Sequence, residues 1–444
     1  MTAQVEAAPT TTAAAGPSLY AWWVVFVLTL TQALAFVDRQ VLALLVEPIK
    51  RDLGVSDTAI SLLYGLSFAL FYVIVALPIA HLADRTNRRN IIGLAVGFWS
   101  LATAACGLAR GFPQLLAARL GVGAGEAGLS PSAQSMLADY FPRERLGAAL
   151  GVFSTGVSIG GGLALIVGGA LVQAAPALGA ALLPFWPGVQ PWRIVLVTVG
   201  LAGLPIALLF LTVREPVRRG AGAAKPMPFS DVLAYIGRHG WTYFGLIGAL
   251  AMMIFVAQSS SAWIPAFFAR RFGWDAPHIG ATYGPLVLIC GGSGALIGGL
   301  FASMLRSRRI PRANLAASLG GFVLAAPLAI GFPLAGDPRS ALVMIGAMTF
   351  CAGLTFGGGY AALQEVTPPR MRAQVTALNG LAVNLIGAGL GPLSVALVSD
   401  RLFHDPARLH QAIALVAAVA SPITVALFLI AMRRHESAAQ AVVA

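Results

Sequence analysis

Twelve long apolar runs divide this sequence and fix the kind of fold that it can adopt. An α-helix needs about 20 apolar residues to cross a bilayer core about 30 Å thick, and each run reaches that length. The runs cover approximately residues 20–46, 57–82, 90–110, 113–138, 146–174, 192–213, 241–269, 277–305, 313–334, 339–364, 373–399 and 408–432. With 58% hydrophobic and only 10% charged residues, the chain is too apolar for a water-soluble domain. The sequence therefore predicts an all-α membrane protein with twelve transmembrane helices.

The basic residues between the runs predict the orientation of the chain in the membrane. If the N-terminus is cytoplasmic, the loops and tail on that side hold eighteen Lys and Arg residues, and the opposite loops hold nine. This excess predicts that both termini lie in the cytoplasm. It also accounts for the net charge of +12 without nucleic acid, because no basic face or arm is present. Arginine outnumbers lysine 27 to 2, and alanine and glycine are abundant, which suggests a GC-rich bacterial genome. The expected location is a bacterial inner membrane.

Composition shifts suggest the domain organisation. The longest cytoplasmic connection, residues 214–240, separates the runs six and six, so six-helix bundles are expected at 19–213 and 241–432. Residues 1–18 are rich in Ala, Thr and Pro and lack the basic start of a signal peptide, which predicts a disordered cytoplasmic tail. Residues 433–444 are expected to form a second cytoplasmic tail.

A weak internal repeat supports two related halves. Residues after run four recur after run ten at a constant offset, 369 − 142 = 227, and glycines of run five recur in run eleven at 387 − 160 = 227. The recurring positions are Pro142, Arg143 and Arg145 with Pro369, Arg370 and Arg372, and Gly160 and Gly162 with Gly387 and Gly389. Two parallel repeats flanking a site at the bilayer midplane are a known transporter architecture.

Two motifs carry a family resemblance. AHLADRTNRRNII, residues 80–92, resembles the major facilitator superfamily pattern Gly-x-x-x-Asp-Arg-x-Gly-Arg-Arg/Lys, with Ala80 and Asn87 in place of the two glycines. Asn at the second position is typical of the spinster branch. RLGVGAGEAG, residues 119–128, is similar to that branch's Arg-x-x-x-Gly-x-Gly-Glu-Ala motif. The superfamily resemblance covers the whole chain, whereas the branch resemblance is concentrated in the first half.

Four charged residues lie inside the apolar runs: Asp38, Arg39, Arg119 and Glu126. A charge at the bilayer centre costs about 2.5–3.5 kcal/mol on insertion scales, so such residues normally face a partner or a cavity and are functional candidates. Adjacent helix positions point about 100° apart, so Asp38 and Arg39 need separate partners. A purely structural ion-pair network is the alternative, although the second half has no charged counterparts at the 227-residue offset.

Helix depth suggests the partners. At 1.5 Å per residue, Asp38 and Arg119 reach a similar level, whereas Glu126 lies roughly 10 Å from Arg119 and closer to the midplane. We therefore expect Asp38 to pair with Arg119 and Glu126 to face the cavity as the less compensated acid. Because removal from water favours a neutral carboxyl group, Glu126 is the best candidate to take up and release a proton. Arg39 has no assigned partner.

The loop after run two contains the predicted gate. Its charges can be read as a basic turn that obeys the positive-inside rule. The family resemblance implies in addition that Asp84 latches the cytoplasmic ends of the two halves, together with Arg143 or Arg145 and the N-terminus of helix eleven. The predicted gating residues are Asp84, Arg85, Arg88, Arg89, Arg143 and Arg145.

Other residue types suggest a cavity but no cofactor. Six aromatic residues are candidates to line a cavity for an apolar chain: Phe36, Tyr64, Phe68, Phe71, Trp263 and Phe267. The abundant glycines of runs five, eight, ten and eleven predict close helix packing. Three scattered cysteines and six histidines show no metal-site spacing, so neither a metal nor an organic cofactor is expected.

The spinster resemblance implies proton-coupled transport of an amphipathic lipid, such as a lysophospholipid or a sphingolipid-like molecule, by alternating access. The expected partners are the bilayer, this small-molecule substrate and the proton, with no nucleic acid, and the chain is expected to be a monomer. A proton symporter for small organic anions, in which Arg119 or Arg39 binds a carboxylate, is the main alternative, because such symporters carry similar charges in helices one and four. A multidrug/proton antiporter and a non-transporting receptor or scaffold are further alternatives. An enzyme is disfavoured because no nucleophile, base and oxyanion constellation is present.

Overall fold

The computed structural model describes residues 19–182, 188–218, 228–308, 310 and 312–443, and these ranges contain helices and no strand. In the first half of the chain the α-helices are α1 Leu19–Leu44, α2 Val46–Leu53, α3 Asp57–Ser61, α4 Ser67–Arg85, α5 Arg88–Leu108, α6 Phe112–Glu126, α7 Leu129–Tyr140, α8 Arg143–Leu182 and α9 Pro191–Leu209. The later ones are α10 Phe229–Arg238, α11 Gly240–Ser261, α12 Ile264–Phe272, α13 Ala276–Leu286, α14 Gly292–Ser307, α15 Ala313–Gly331, α16 Pro338–Glu365, α17 Arg372–Ala382, α18 Gly391–Leu397 and α19 Leu409–Val443.

Within the described residues, eleven helical spans are long and apolar enough to cross a membrane. The remaining predicted run, run four at residues 113–138, is split into α6 and α7 by a two-residue bend at Ala127 and Gly128. Each piece is shorter than 18 residues, although both bend residues keep backbone angles of the right-handed helical region. The prediction of an all-α protein with twelve membrane helices is confirmed, with the fourth helix bent directly after Glu126.

Two helices extend beyond their apolar runs. α8 continues to Leu182 rather than ending near residue 174, and α19 continues to Val443 across the segment that was predicted to be a tail. Both extensions are rich in alanine, the strongest helix former, so helical structure persists where the apolar run ends. The expected tail at 1–18 and residues 219–227 of the expected linker lie outside the described residues, and the rest of that linker includes α10.

Small residues bring the helices into close contact. α8 packs along α1, where a Cβ atom on Gly156 would lie 2.7 Å from the carbonyl oxygen of Thr29. A Cβ atom on Gly160 would lie 2.7 Å from the Cβ atom of Phe36. These glycines therefore let two backbones approach where any side chain would separate them, as the glycine series predicted.

Two seams join residues 19–213, the first half, to residues 240–443, the second half. Along one seam α8 packs against α13. Along the other, π-helical turns at Leu62–Leu66 and Val383–Leu390 meet, and a Cβ atom on Gly65 would lie 2.8 Å from the carbonyl oxygen of Ala388. Such π-helical turns are frequent at functional sites in membrane and soluble helices.

Candidate functional site

Arg39 of α1 forms an ion pair with Glu126, the last residue of α6. The Nη2 atom of Arg39 lies 2.5 Å from Oε2 of Glu126, and the Nε atom donates to the same oxygen at 2.7 Å. Glu126 is buried, whereas the Arg39 side chain is 28% exposed and is therefore open to a further partner. Arg39, which had no assigned partner, therefore compensates Glu126. The expectation that Glu126 would be the less compensated acid was wrong.

Asp38 and Arg119 are neighbours, but their charged groups do not form the predicted ion pair. Nη1 of Arg119 donates to the backbone carbonyl oxygen of Asp38 at 3.3 Å. Both carboxylate oxygens of Asp38, together with Nε and Nη2 of Arg119, are buried without a hydrogen-bond partner. Counting residues along each helix gives the depth of a Cα atom in the membrane. It gives neither the rotation of α1 about its axis nor the reach of the long Arg39 side chain.

An aromatic wall surrounds the Arg39 guanidinium group. Its Cζ atom lies 4.4 Å from the ring centroid of Phe68, 5.2 Å from that of Phe36 and 5.7 Å from that of Tyr72. These distances permit cation–π attraction, and they place two of the predicted cavity residues beside the charge. Tyr72 was missed, although it lies four positions after Phe68 and therefore on the same face of α4.

The other four predicted aromatic residues lie elsewhere. The Tyr64 hydroxyl group donates to the side-chain oxygen of Gln40, the residue after Arg39. Phe71 is exposed on the bundle surface. Trp263 is buried and donates to the carbonyl oxygen of Pro392 at 3.0 Å, and Phe267 is buried in an aromatic cluster. Trp263 and Phe267 therefore pack the interior of the second half and do not line an open cavity in this conformation.

The predicted gating residue Arg88 connects elements of the first half. Its Nη1 atom lies 2.6 Å from Oδ2 of Asp139 at the end of α7, and its Nε atom donates to Oε1 of Glu215 at 2.7 Å. The backbone nitrogen of Arg89 donates to the other Glu215 oxygen at 3.0 Å. Arg88 thus fixes the end of α7 and the segment that follows α9 against the start of α5, a role that the sequence did not suggest.

The remaining gating residues leave the predicted latch untested. The side chains of Asp84 and Arg143 lie outside the described part of the structure, and Arg85 and Arg145 are exposed. The latch around Asp84 therefore stays a prediction.

The halves are joined by a polar cluster that the sequence alone did not predict. Arg270, at the end of α12, donates to Oε1 of Glu47 at 2.7 Å and to both carboxylate oxygens of Asp57 at 2.7 Å. Lys50 also binds Asp57, which is fully buried. Because two parallel hydrogen bonds join Arg270 and Asp57, this pair is both strong and geometrically specific.

A reciprocal contact runs from the second half to the first. Oδ2 of Asp400 accepts hydrogen bonds from the backbone nitrogen and the hydroxyl group of Thr58, both at 2.7 Å. An acid is electrostatically favourable there, at the N-terminus of α3. We call these residues the closed-end network: Glu47, Lys50, Asp57, Thr58, Arg270 and Asp400. Its members lie at or near the ends of apolar runs, where a single charge resembles an ordinary loop charge.

Known proteins resemble this chain over most of its length. The family model of the Major Facilitator Superfamily matches residues 28–392. An MFS-type efflux pump of Mycolicibacterium smegmatis is 28% identical over 393 residues, which are 87% of this chain and 86% of the pump. A probable L-galactonate transporter of Escherichia coli is 25% identical over 388 residues, which are 82% of this chain and 80% of that protein.

A solved structure supports the same assignment. It is a bacterial homologue of the human lysosomal transporter spinster in an inward-facing and unoccupied conformation, it is 29% identical, and its TM-score is 0.79 over 96% of this chain and 98% of that one. The family and the structural similarity identify a transporter rather than an enzyme. The chain therefore belongs to the major facilitator superfamily of membrane transporters and, within it, resembles the spinster branch.

Proposed function

We propose that this protein is a proton-coupled secondary transporter that moves an amphipathic lipid, such as a lysophospholipid or a sphingolipid-like molecule, by alternating access. We place it in a bacterial inner membrane with both termini in the cytoplasm. The observation that carries the proposal is the ion pair of Arg39 with Glu126 within the membrane helices, beside the buried and unpartnered Asp38. In this proposal the protein acts as a monomer in the bilayer and uses the proton as its coupling ion. It needs no other cofactor and no nucleic-acid partner.

The coupling chemistry follows from this ion pair. Glu126 cannot keep a full charge-assisted interaction with Arg39 once it is protonated, because the neutral carboxyl group attracts the guanidinium group less strongly. Protonation would therefore release Arg39, whose side chain is already 28% exposed, towards an anionic headgroup. Deprotonation would return Arg39 to Glu126 and expel the headgroup. Asp38 is the second group that could exchange a proton in this region.

The aromatic wall supports an amphipathic substrate. The rings of Phe36, Phe68 and Tyr72 lie around the Arg39 guanidinium group. Phe36 and Tyr72 are partly exposed, so the apolar chain of a lipid could pack on them while the lipid phosphate binds Arg39, with the buried Phe68 behind the guanidinium group. Arg39 thus offers a positive charge for a headgroup, and the aromatic wall around it offers an apolar surface for a chain.

The closed-end network supports alternating access. It joins the two halves at the end of the bundle opposite Leu19, the end that faces away from the cytoplasm in the proposed orientation. The conformation would then be inward-facing, like that of the solved spinster homologue. To open the other side, the protein would break the contacts of Arg270 with Glu47 and Asp57 and form the latch predicted around Asp84.

A flux assay in proteoliposomes tests the substrate. Purified protein is reconstituted, and uptake of a panel of labelled lysophospholipids is compared with that of sugar acids, each with and without an imposed pH gradient. Lysolipid flux that depends on the protein and the gradient is expected. Saturable sugar-acid uptake without lysolipid flux would contradict the lipid proposal.

Small organic anions are the second candidate substrate class. Two observations favour it: the exposed part of Arg39 could bind a carboxylate, and one relative is a probable L-galactonate transporter. A substrate of this class would have no apolar chain to pack on the aromatic wall. Substitution of Phe68 by leucine should therefore affect transport of a sugar acid less than that of a lysolipid. The efflux pump among the relatives also makes a dye-efflux control worthwhile.

A further inference from the structure

Asp38 faces two polar side chains of α5 that have no other partner. The indole nitrogen of Trp99 and the hydroxyl oxygen of Thr103 are buried without a hydrogen bond, as are both carboxylate oxygens of Asp38. The two side chains lie against this carboxyl group. They are four positions apart on one helix and therefore share a face.

These two groups are chemically suited to a carboxyl group that changes its protonation state. An indole N–H can only donate a hydrogen bond, whereas a threonine hydroxyl group can donate or accept. An ionised Asp38 could therefore accept from both after a small side-chain rotation, and a protonated Asp38 could donate to Thr103. Phenylalanine and valine would fill the same space without an unpartnered polar atom, so packing alone does not explain this residue choice.

The charged and titratable groups around Asp38 are few in the described structure. α6 contributes Arg119, which donates to the Asp38 backbone, and Glu126, which is held by Arg39. α5 contributes Cys106, one turn beyond Thr103. The donors that can reach the Asp38 carboxylate by rotation are thus Trp99, Thr103 and the free nitrogens of Arg119.

We infer that Trp99 and Thr103 are positioning residues that hold the Asp38 carboxyl group as it gains and loses a proton, and that they thereby set the pH range of transport. The inference rests on the proposed proton coupling. Neither residue touches the substrate. Both act through Asp38 by donating hydrogen bonds to its ionised form.

The chain supplies two controls. Thr103→Ser keeps the hydroxyl group that Thr103→Val removes, so serine should restore native behaviour. Ser100 lies on the same helix and its hydroxyl oxygen is also buried and unpartnered, but it faces α9, where it contacts the position that a Cβ atom on Gly203 would occupy. Ser100→Ala therefore removes a buried hydroxyl group that does not face Asp38.

Infrared titration of the purified protein tests the inference without any substrate. The band of the protonated Asp38 carboxyl group is assigned by its loss in Asp38→Asn, and its disappearance is followed as the pH rises. In Thr103→Val and Trp99→Phe, the midpoint should move by about one to two pH units towards alkaline pH, because a hydrogen bond to the ionised form is lost. Thr103→Ser and Ser100→Ala should titrate like the native protein.

The pH profile of transport supplies the second readout. It should move in the same direction and by a similar amount in Thr103→Val and Trp99→Phe. Native titration of the carboxyl band in both variants would overturn the inference, and so would an equal shift in Ser100→Ala. If Trp99→Phe fails to fold, Thr103→Val and Thr103→Ser decide alone. Native flux that ignores pH would instead contradict the proposed coupling, and the infrared arm would still decide the positioning of Asp38.

Discussion

Arg39 holds Glu126 at 2.5 Å between α1 and α6, while its neighbour Asp38 faces α5. The two adjacent residues thus lie in different surroundings. Arg39 is paired and partly exposed, whereas Asp38 is buried and its carboxylate has no hydrogen bond. This separation gives the site two carboxyl groups in unlike environments. Environments that differ in this way allow two acids to exchange protons at different stages of a cycle.

Removal of Arg39 should destabilise the protein through Glu126. In Arg39→Met the Glu126 carboxylate is left buried without its cation, and breaking a buried pair costs about 3–5 kcal/mol. Because Arg39 is partly exposed, we expect a loss of about 2–3 kcal/mol in the free energy of unfolding in detergent. Arg39→Met combined with Glu126→Gln should recover most of it. Additive losses in the double variant would show that the pair does not couple the two helices energetically.

Weakening of the closed-end network should open that end of the bundle. Asp57→Asn removes the charge that binds both Nη atoms of Arg270. A charge-assisted hydrogen bond contributes about 1.5–3 kcal/mol, so the open population should rise at least about tenfold. Arg51 and Arg271 are exposed residues on opposite halves. Spin labels at these two positions report the distance between the halves by pulsed electron paramagnetic resonance.

The same end of the molecule supplies the control for that experiment. Asp52 lies 2.9 Å from Arg193, and both belong to the first half. Asp52→Asn removes a similar ion pair without touching the contact between halves, so the label distance should remain native. An unchanged distance in Asp57→Asn, or the same change in Asp52→Asn, would argue against a gate built on Arg270.

A methyl group at Gly65 should separate the halves. The added Cβ atom would lie 2.8 Å from the carbonyl oxygen of Ala388 and 2.9 Å from that of Gly389, and such overpacking costs about 1–3 kcal/mol. We expect Gly65→Ala to favour the conformation that is open at the network, as measured with the same spin labels. Gly320→Ala is the control, because a Cβ atom there meets nothing within 4 Å. A native distance distribution in Gly65→Ala would mean that this seam does not separate during the conformational change.

Local chemistry explains what the sequence predicted correctly. The twelve runs were recognised because length and apolarity are properties of each segment by itself. Asp38, Arg39, Arg119 and Glu126 stood out because charges are costly inside a membrane helix. The bend after Glu126 was missed because small and apolar residues continue on both sides of it, so the apolar run shows no interruption in length. Helical order in α8 and α19 continues beyond the apolar composition that was used to place their ends.

Relations between distant segments could not be predicted in the same way. The pairing of Arg39 with Glu126 depends on the rotation of α1 and on side-chain reach, neither of which follows from a count of residues. Arg270 and Asp57 are 213 positions apart, and each alone resembles an ordinary charge at a helix end. Only the packing of one half against the other shows that they form a contact.

Proton-driven flux through the native protein and Glu126→Gln tests the central claim most directly. Both are reconstituted into vesicles with a trapped pH indicator, and movement of the transported substrate and of protons is recorded together under an imposed pH gradient. The account predicts that substrate and protons move together in the native protein. Glu126→Gln should fold, but it carries a permanently neutral group at this position. We therefore expect it to lose at least about 90% of the gradient-driven flux of substrate and protons, a tenfold effect that corresponds to about 1.4 kcal/mol. Undiminished proton-coupled flux in Glu126→Gln would contradict it.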